Sequence, residues 1–189
     1  MTIKANAIEK VVLFGDSLMA GYGLPNDQHL SVVLQKNLKS KGHEIEIING
    51  SVSGSTSSSG LNRVKWTLST PDIDVMILNL GANDMLRGIS PRETKNNLEK
   101  IIKIAQDKKI EVVLAGMIAP SSHGYEYKKK FDKIYPELST KYNLIYIPFL
   151  LEGVALNPEL NLSDGMHPNS NGVKIISNTL EKKIIPLVK

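Results

Sequence analysis

The sequence predicts an α/β protein with a mainly parallel sheet that helices cover on both faces. Five short apolar runs are typical of buried strands, and they lie at residues 11–14, 44–48, 75–80, 111–115 and 144–147. Each gap between consecutive runs is long enough for a crossover connection that contains a helix. Apolar residues recur at helical spacing within those gaps. Strands that alternate with helices in this way form a mainly parallel sheet.

Length and composition bound the class of protein. Because the chain has 189 residues and 41% of them are hydrophobic, it can bury a substantial core, and we expect one domain over residues 1–189. The absence of cysteine excludes a thiol nucleophile, a disulfide framework and thiolate metal sites. The net charge is 23 − 19 = +4 on mostly scattered lysines, so we expect no nucleic-acid partner. No stretch is long and apolar enough to span a membrane, so we expect no stable membrane insertion.

The first predicted strand leads into a short polar turn. Residues 11–14 are apolar, and Gly15 then allows a sharp turn before Asp16 and Ser17. Ser17 therefore lies just past the carboxyl end of a strand, where ligands bind in open α/β sheets. A serine in this place is a candidate nucleophile if a base can reach it. The alternative is that Asp16 or Ser17 only caps the next helix.

The connections and the C-terminal segment are predicted to be helical. Residues 90–93 combine a capping box with Pro91 at the first helical position, which marks a helix start. Pro136 should kink or end the helix in which it lies. The apolar stripes are interpreted as core rather than as cofactor contacts. They are Leu30, Val33, Leu34 and Leu38; Leu61, Val64 and Leu68 with Trp66 nearby; Leu98, Ile101, Ile102 and Ala105; Phe131, Ile134, Tyr135 and Leu138; and Val173, Ile176, Leu180 and Ile184.

Two more polar blocks, residues 53–55 and 81–84, follow the second and third predicted strands. In a parallel sheet they must lie along the same edge as Ser17, which indicates a functional site there. The Asn83 amide can donate a hydrogen bond to a developing oxyanion, and Gly54 can bring a backbone N–H close to the same point. The alternatives are a flexible turn at Gly54 and a helix cap at Asn83 or Asp84.

Asp164 and His167 form the fourth polar block. They are three residues apart, close enough to share a turn, and Pro168 suits the first position of a following helix. His167 would then lie at a helix entrance, whose positive end favours the neutral imidazole that a general base needs. Asp164 can hold the ring through a hydrogen bond and stabilise the imidazolium. The alternative is a turn residue followed by a surface cap.

Competing motifs are incomplete. The Ser- and Gly-rich residues 51–60 lack the Gly-Lys-Ser/Thr ending of a phosphate loop, and no dinucleotide fingerprint follows the first strand. His29, His43, His123 and His167 show no zinc-ligand spacing, so no metal and no organic cofactor is expected. His123 follows the fourth strand and is a further candidate for the cleft.

The four polar blocks, in this order and spacing, resemble those of the SGNH hydrolases, a branch of the GDSL esterases and lipases. The narrower resemblance is to the bacterial arylesterase and multifunctional thioesterase/lysophospholipase group. It covers nearly the whole chain and is carried by residues 11–18, 49–60, 80–91, 135–136 and 164–169.

The resemblance implies a flavodoxin-like three-layer α/β/α sandwich with five parallel strands. It also implies that Ser17 is the nucleophile, that His167 is the general base and that Asp164 orients His167. The implied oxyanion hole consists of the backbone N–H groups of Ser17 and Gly54 with the Asn83 side chain.

The chain departs from its relatives at three places. Ser55 stands where many relatives have Asp, Met19 stands where a small or polar residue is common, and residues 117–127 form a different loop. That loop helps to shape the acyl pocket in the family, so substrate preference is not carried over. Similar enzymes are often exported to the periplasm, and residues 5–7 resemble the end of a cleavage site. A cytoplasmic location is the alternative.

We therefore expect a serine esterase that acts on small acyl esters, and also on acyl thioesters or lysophospholipids, through an acyl-serine intermediate. Its partner would be a small-molecule substrate. The first alternative is a carbohydrate O-deacetylase with the same chemistry. The second is a non-catalytic, doubly wound module that binds a phosphate-bearing ligand.

Overall fold

Five parallel strands form the centre of the computed structural model, which describes residues 10–187. Their order in the sheet is β2-β1-β3-β4-β5. This architecture confirms the predicted five-stranded parallel sheet, while residues 5–7, the suggested cleavage site, lie outside the described residues. The strands are β1 (Lys10–Gly15), β2 (Glu46–Asn49), β3 (Val75–Asn79), β4 (Glu111–Ala115) and β5 (Ile145–Ile147).

The helices form a layer on each side of the sheet. α2 packs against α8 on one face, and α5 packs between α3 and α7 on the other. Right-handed crossovers between parallel strands require this division for the observed strand order. The helices are α1 (Ser17–Ala20), α2 (Leu30–Ser40), α3 (Ser57–Thr67), α4 (Ala82–Leu86), α5 (Pro91–Asp107), α6 (Tyr125–Phe131), α7 (Ile134–Tyr142) and α8 (Ser170–Ile184).

The central strands are apolar throughout because both of their faces are covered. Residues 11–14 of β1 and every residue of β3 are buried. A strand with one solvated face would alternate apolar and polar residues instead. β1 and β3 are neighbours, and the turns that follow them therefore meet at the carboxyl edge of the sheet.

The start of α5 follows the sequence prediction in its cap and its proline, although only one of the two hydrogen bonds of the predicted capping box is present. The Ser90 hydroxyl accepts a hydrogen bond from the Glu93 backbone N–H at 3.2 Å, and Pro91 occupies the first helical position. The apolar stripe Leu98, Ile101, Ile102 and Ala105 is fully buried, which confirms that it belongs to the core.

Pro136 interrupts the predicted helix, as expected, because α6 ends at Phe131 and α7 begins at Ile134. Pro136 lies in the first turn of α7, where its missing N–H has no intrahelical acceptor to satisfy. The stripe that includes Phe131 is therefore divided between α6 and α7. Trp66 does not join the core, since 80% of it is exposed on the outer face of α3.

Candidate active site

Ser17 is the first residue of α1, directly after the turn that ends β1. Gly15 is required there because the site has no space for a Cβ, in agreement with the turn argument made from the sequence. A Cβ at Gly15 would lie 2.7 Å from the Met19 sulfur and 2.8 Å from the Asn79 carbonyl oxygen. Asp16 caps α1 by accepting a hydrogen bond from the Leu18 N–H at 3.1 Å. The cap at Asp16 therefore coexists with an accessible Ser17 hydroxyl.

Ser17, His167 and Asp164 form a continuous hydrogen-bonded row. His167 Nε2 lies 2.9 Å from Ser17 Oγ, and His167 Nδ1 lies 2.7 Å from Asp164 Oδ2. The two ends of the row are 147 positions apart in the chain, so the fold brings them together. A serine, a histidine and a carboxylate in this order can activate the hydroxyl as a nucleophile.

The turn before α8 differs from the prediction. Pro168 pairs with Asn161 in an extended bridge, and Asn169 rather than His167 caps α8. His167 therefore lies two residues before the cap of α8 rather than at the helix entrance. Its carbonyl accepts a hydrogen bond from the Leu162 N–H at 2.7 Å, which fixes the backbone of this turn.

Asp164 is held as a carboxylate by its own turn. The backbone N–H groups of His167 and Met166 donate hydrogen bonds to Asp164 Oδ1 at 3.0 and 2.9 Å. The other carboxylate oxygen, Oδ2, is hydrogen-bonded to Nδ1 of the His167 ring. These hydrogen bonds, the one from the His167 backbone first, lower the pKa of Asp164 from 3.8 to about 2. The charge that would stabilise an imidazolium is thus present throughout the neutral range.

Asn83 is positioned by the buried carboxylate of Asp16. The Asn83 amide donates to Asp16 Oδ2 at 3.3 Å, and Asn83 lies in the first turn of α4, next to Ser17 in the cleft. One amide hydrogen is engaged in this bond, and the second is available to a ligand. Burial raises the pKa of Asp16 to about 6, against the opposing hydrogen bonds from Leu18 and Asn83.

Gly54 lies beside the cleft rather than in its lining. Its backbone is left-handed, with φ of +77°, a conformation that side chains resist. The Val52 N–H donates to the Gly15 carbonyl at 3.1 Å, and Arg87 donates to the Gly54 carbonyl at 3.1 Å. Within residues 10–187 the backbone N–H groups of Ser17 and Gly54 have no hydrogen-bond acceptor. Both are available to an oxyanion.

Asp84 is a buried structural residue that the sequence argument considered only as a cap. It accepts hydrogen bonds from the Ser57 backbone N–H at 2.7 Å, from the Ser57 hydroxyl and from the Thr94 hydroxyl at 3.1 Å. It therefore ties α4 to the start of α3 and to α5. Because Asn83 is its neighbour, this network fixes the backbone that carries the candidate oxyanion donor.

An apolar cleft of about 530 Å³ opens from Ser17. Ser17, Asn83 and His167 lie at its polar end, whereas the remaining wall is mostly hydrocarbon. His123 does not line this cleft; its ring packs against Tyr127 instead. Apolar side chains that form the wall include Met85, Leu86, Met117, Ile118, Phe149 and Leu151.

Helix α6 joins two walls of the cleft. The Ala119 N–H donates to Asp132 Oδ1 at 2.9 Å, and Lys128 donates to the Ala119 carbonyl at 2.6 Å. The Tyr127 hydroxyl donates to the Ile89 carbonyl at 2.8 Å, beyond α4. Helix α6 and its C-terminal cap therefore hold the wall at Ala119 and the segment that follows α4, whose Met85 and Leu86 also line the cleft.

The aromatic ring of Tyr22 packs against the imidazole of His167. Its centroid lies 4.4 Å from that of His167, with the planes tilted by 36°. Aromatic faces attract cations, so this contact is stronger for an imidazolium than for a neutral ring. Sequence reasoning missed Tyr22 because only the fold places it against His167.

Comparisons with known proteins identify the family to which the chain belongs. The pattern of the GDSL-like lipase/acylhydrolase family matches residues 13–175. An arylesterase of Vibrio mimicus is 34% identical over 98% of this chain and 92% of its own. Thioesterase 1/protease 1/lysophospholipase L1 of Escherichia coli K12 is 32% identical over 100% of this chain and 89% of its own. The crystal structure of AlinE4, an SGNH-hydrolase family esterase, is 39% identical with a TM-score of 0.80, covering 97% of this chain and 98% of its own.

The chain belongs to the GDSL-like lipase/acylhydrolase family. It is a hydrolase that cleaves esters, of the SGNH type. The predicted resemblance, fold and enzyme class are thereby confirmed. Among residues 10–187, no helix could cross a membrane. The same part of the chain contains no cluster of three or more metal-ligating side chains.

Proposed function

We propose that this enzyme hydrolyses acyl esters through an acyl-serine intermediate on Ser17. The observation that carries the proposal is the row from Ser17 Oγ through the His167 ring to Asp164, with contacts of 2.9 and 2.7 Å. Ser17 Oγ attacks the acyl carbonyl carbon while His167 Nε2 takes its proton. His167 then gives that proton to the leaving oxygen, and the ester bond breaks.

Deacylation uses the same groups in reverse order. A water molecule in the place of the leaving group gives its proton to His167 and attacks the acyl-serine carbonyl. The acid is released, and Ser17 Oγ recovers the proton. In both halves the oxyanion would accept hydrogen bonds from the backbone N–H groups of Ser17 and Gly54 and from the Asn83 amide.

We assign the cleft to the acyl chain because its wall is hydrocarbon. The proposed substrates are therefore small-molecule esters with an aliphatic acyl group. Thioesters and lysophospholipids carry the same acyl group, and the relative from Escherichia coli is named for both activities. A sulfur leaving group needs no change in the proposed roles of Ser17 and His167.

A series of p-nitrophenyl esters from acetate to decanoate tests this proposal. Each added methylene that enters the cleft contributes ~0.8 kcal/mol, which raises kcat/KM about fourfold until the cleft is filled. We expect acetate to be the poorest substrate and a medium-chain ester the best. A monotonic fall from acetate onward would contradict the assignment of the cleft and favour a deacetylase.

The substitution Asn83→Ala should reduce kcat about 10²- to 10³-fold and change KM little. The reason is that the amide would bind the oxyanion, which exists only in the transition state and the tetrahedral intermediate. Steady-state kinetics with the best p-nitrophenyl ester gives both constants. Asn96→Ala on the exposed surface of α5 is the matched control. A raised KM with an unchanged kcat would assign Asn83 to substrate binding instead.

A further inference from the structure

Leu156 combines two unfavourable features. Its side chain is 95% exposed, although it is a large aliphatic residue. Its backbone is left-handed, with φ of +64°, a region in which a residue with a Cβ is disfavoured. Backbone strain of this kind persists where the surrounding structure imposes it, and it concentrates at ligand sites.

Leu156 stands between two cavities. One is the acyl cleft, and the other is a second cavity of about 420 Å³, here called the distal pocket. Leu156, Asn161 and Gly165 line both cavities, so the two cavities are neighbours and Leu156 lies at the boundary between them. The distal pocket also contains Asn157, Pro158, Leu162 and Ser163.

Two amides of the distal pocket, those of Asn157 and Asn161, are each engaged at one end within the protein. Asn157 Oδ1 accepts a hydrogen bond from the Glu159 N–H at 3.0 Å. The Asn161 amide donates to the carbonyls of Val154 and Asn157 at 2.8 and 2.7 Å. The side chains of Leu156, Pro158 and Leu162 supply the hydrocarbon of the pocket wall, and this part of the wall suits an aliphatic chain.

We propose that the distal pocket is a second acyl subsite, which holds the terminal methylene groups of chains too long for the cleft alone. Leu156 is the partition that such a chain must displace. The strained backbone and the exposed side chain leave few contacts to break when the partition moves. This inference rests on the proposed function, because it extends the acyl cleft that begins at Ser17.

The test compares kcat/KM for p-nitrophenyl dodecanoate and p-nitrophenyl butyrate, expressed as a ratio. Leu156→Gly removes the partition and suits the left-handed backbone, so we expect the ratio to rise at least fivefold. Lys109→Gly is the matched control, because Lys109 is an exposed residue with φ of +61° outside both cavities. Lys109→Gly should relieve the same backbone strain, which would raise the melting temperature as in Leu156→Gly. It should keep the wild-type ratio of kcat/KM for dodecanoate and butyrate.

Filling the pocket gives the opposite change. Pro158→Phe places a ring in the distal pocket and should lower the dodecanoate-to-butyrate ratio at least threefold, in the wild-type and the Leu156→Gly backgrounds. Ratios within twofold of wild type for both variants would overturn the second subsite. If wild-type enzyme hydrolyses butyrate in a Ser17-dependent manner, that result leaves the proposed function intact. If it hydrolyses no ester, both proposals fail together.

Discussion

Ser17→Ala is expected to lose nearly all turnover, on the order of 10⁶-fold in kcat. Without the hydroxyl, no acyl-serine forms, and water must attack the substrate directly. The remaining oxyanion donors and the cleft still support a small residual rate over the uncatalysed reaction. The measurement is p-nitrophenol release from the best ester, with enzyme concentrations high enough to detect this residual rate.

The same experiment separates chemistry from folding. Ser17 is at the start of a short helix whose cap is Asp16, so the substitution leaves the cap and the core in place. The melting temperature should stay within a few degrees of the wild type. Ser40→Ala, in the exposed last turn of α2, is the matched control and should keep full activity. Turnover in Ser17→Ala within tenfold of wild type would overturn the assignment of the nucleophile.

The sheet and its functional edge were predictable from local sequence. Buried parallel strands need uninterrupted apolar runs, and residues 11–14 and 75–79 have them. Polar residues that follow such runs must meet at one edge, because every parallel strand ends there. This topological argument, without any contact information, placed Ser17 and Asn83 at one edge, and both line the cleft, whereas Gly54 lies beside it.

The details of the site depend on contacts between distant residues. The hydrogen bond from Asn83 to Asp16 joins positions 67 residues apart, and no local pattern indicates it. The same holds for the Tyr22 ring against His167. His167 was placed at a helix entrance because Pro168 suits that position, yet the bridge between Asn161 and Pro168 delays the start of α8. A pairing within the loop before α8 therefore overrode the helix-start preference of proline.

Asp16 combines a role set by the local sequence, the cap of α1, with a role set by the fold, the hydrogen bond from Asn83. Its position before α1 is a local consequence of helix capping, as the sequence suggests. Its complete burial comes from the fold, and that burial raises its pKa to about 6. At neutral pH its carboxylate accepts hydrogen bonds from both Leu18 and Asn83. One residue thus shapes the backbone that presents Ser17 and orients the candidate oxyanion donor.

Asp164→Asn is expected to reduce kcat about 10⁴-fold while the fold is retained. Asn Oδ1 can still accept the N–H groups of Met166 and His167, so the turn keeps its two backbone hydrogen bonds. The new amide, however, would donate to His167 Nδ1 where the carboxylate oxygen accepts. The ring proton would then move to Nε2, which could no longer take the Ser17 proton.

The pH dependence distinguishes this explanation from simple loss of charge. Because the pKa of Asp164 is about 2, the wild-type carboxylate stays ionised from neutral pH down to pH 4. Acidification in that range therefore does not reproduce the variant by protonating Asp164, and Asp164→Asn should be slow at every pH between 6 and 9. Asp107→Asn, in the last turn of α5, should match the wild type. If kcat of Asp164→Asn comes within tenfold of the wild-type value at any pH between 6 and 9, Asp164 only shapes the turn. His167 would then take the Ser17 proton without a carboxylate to orient it.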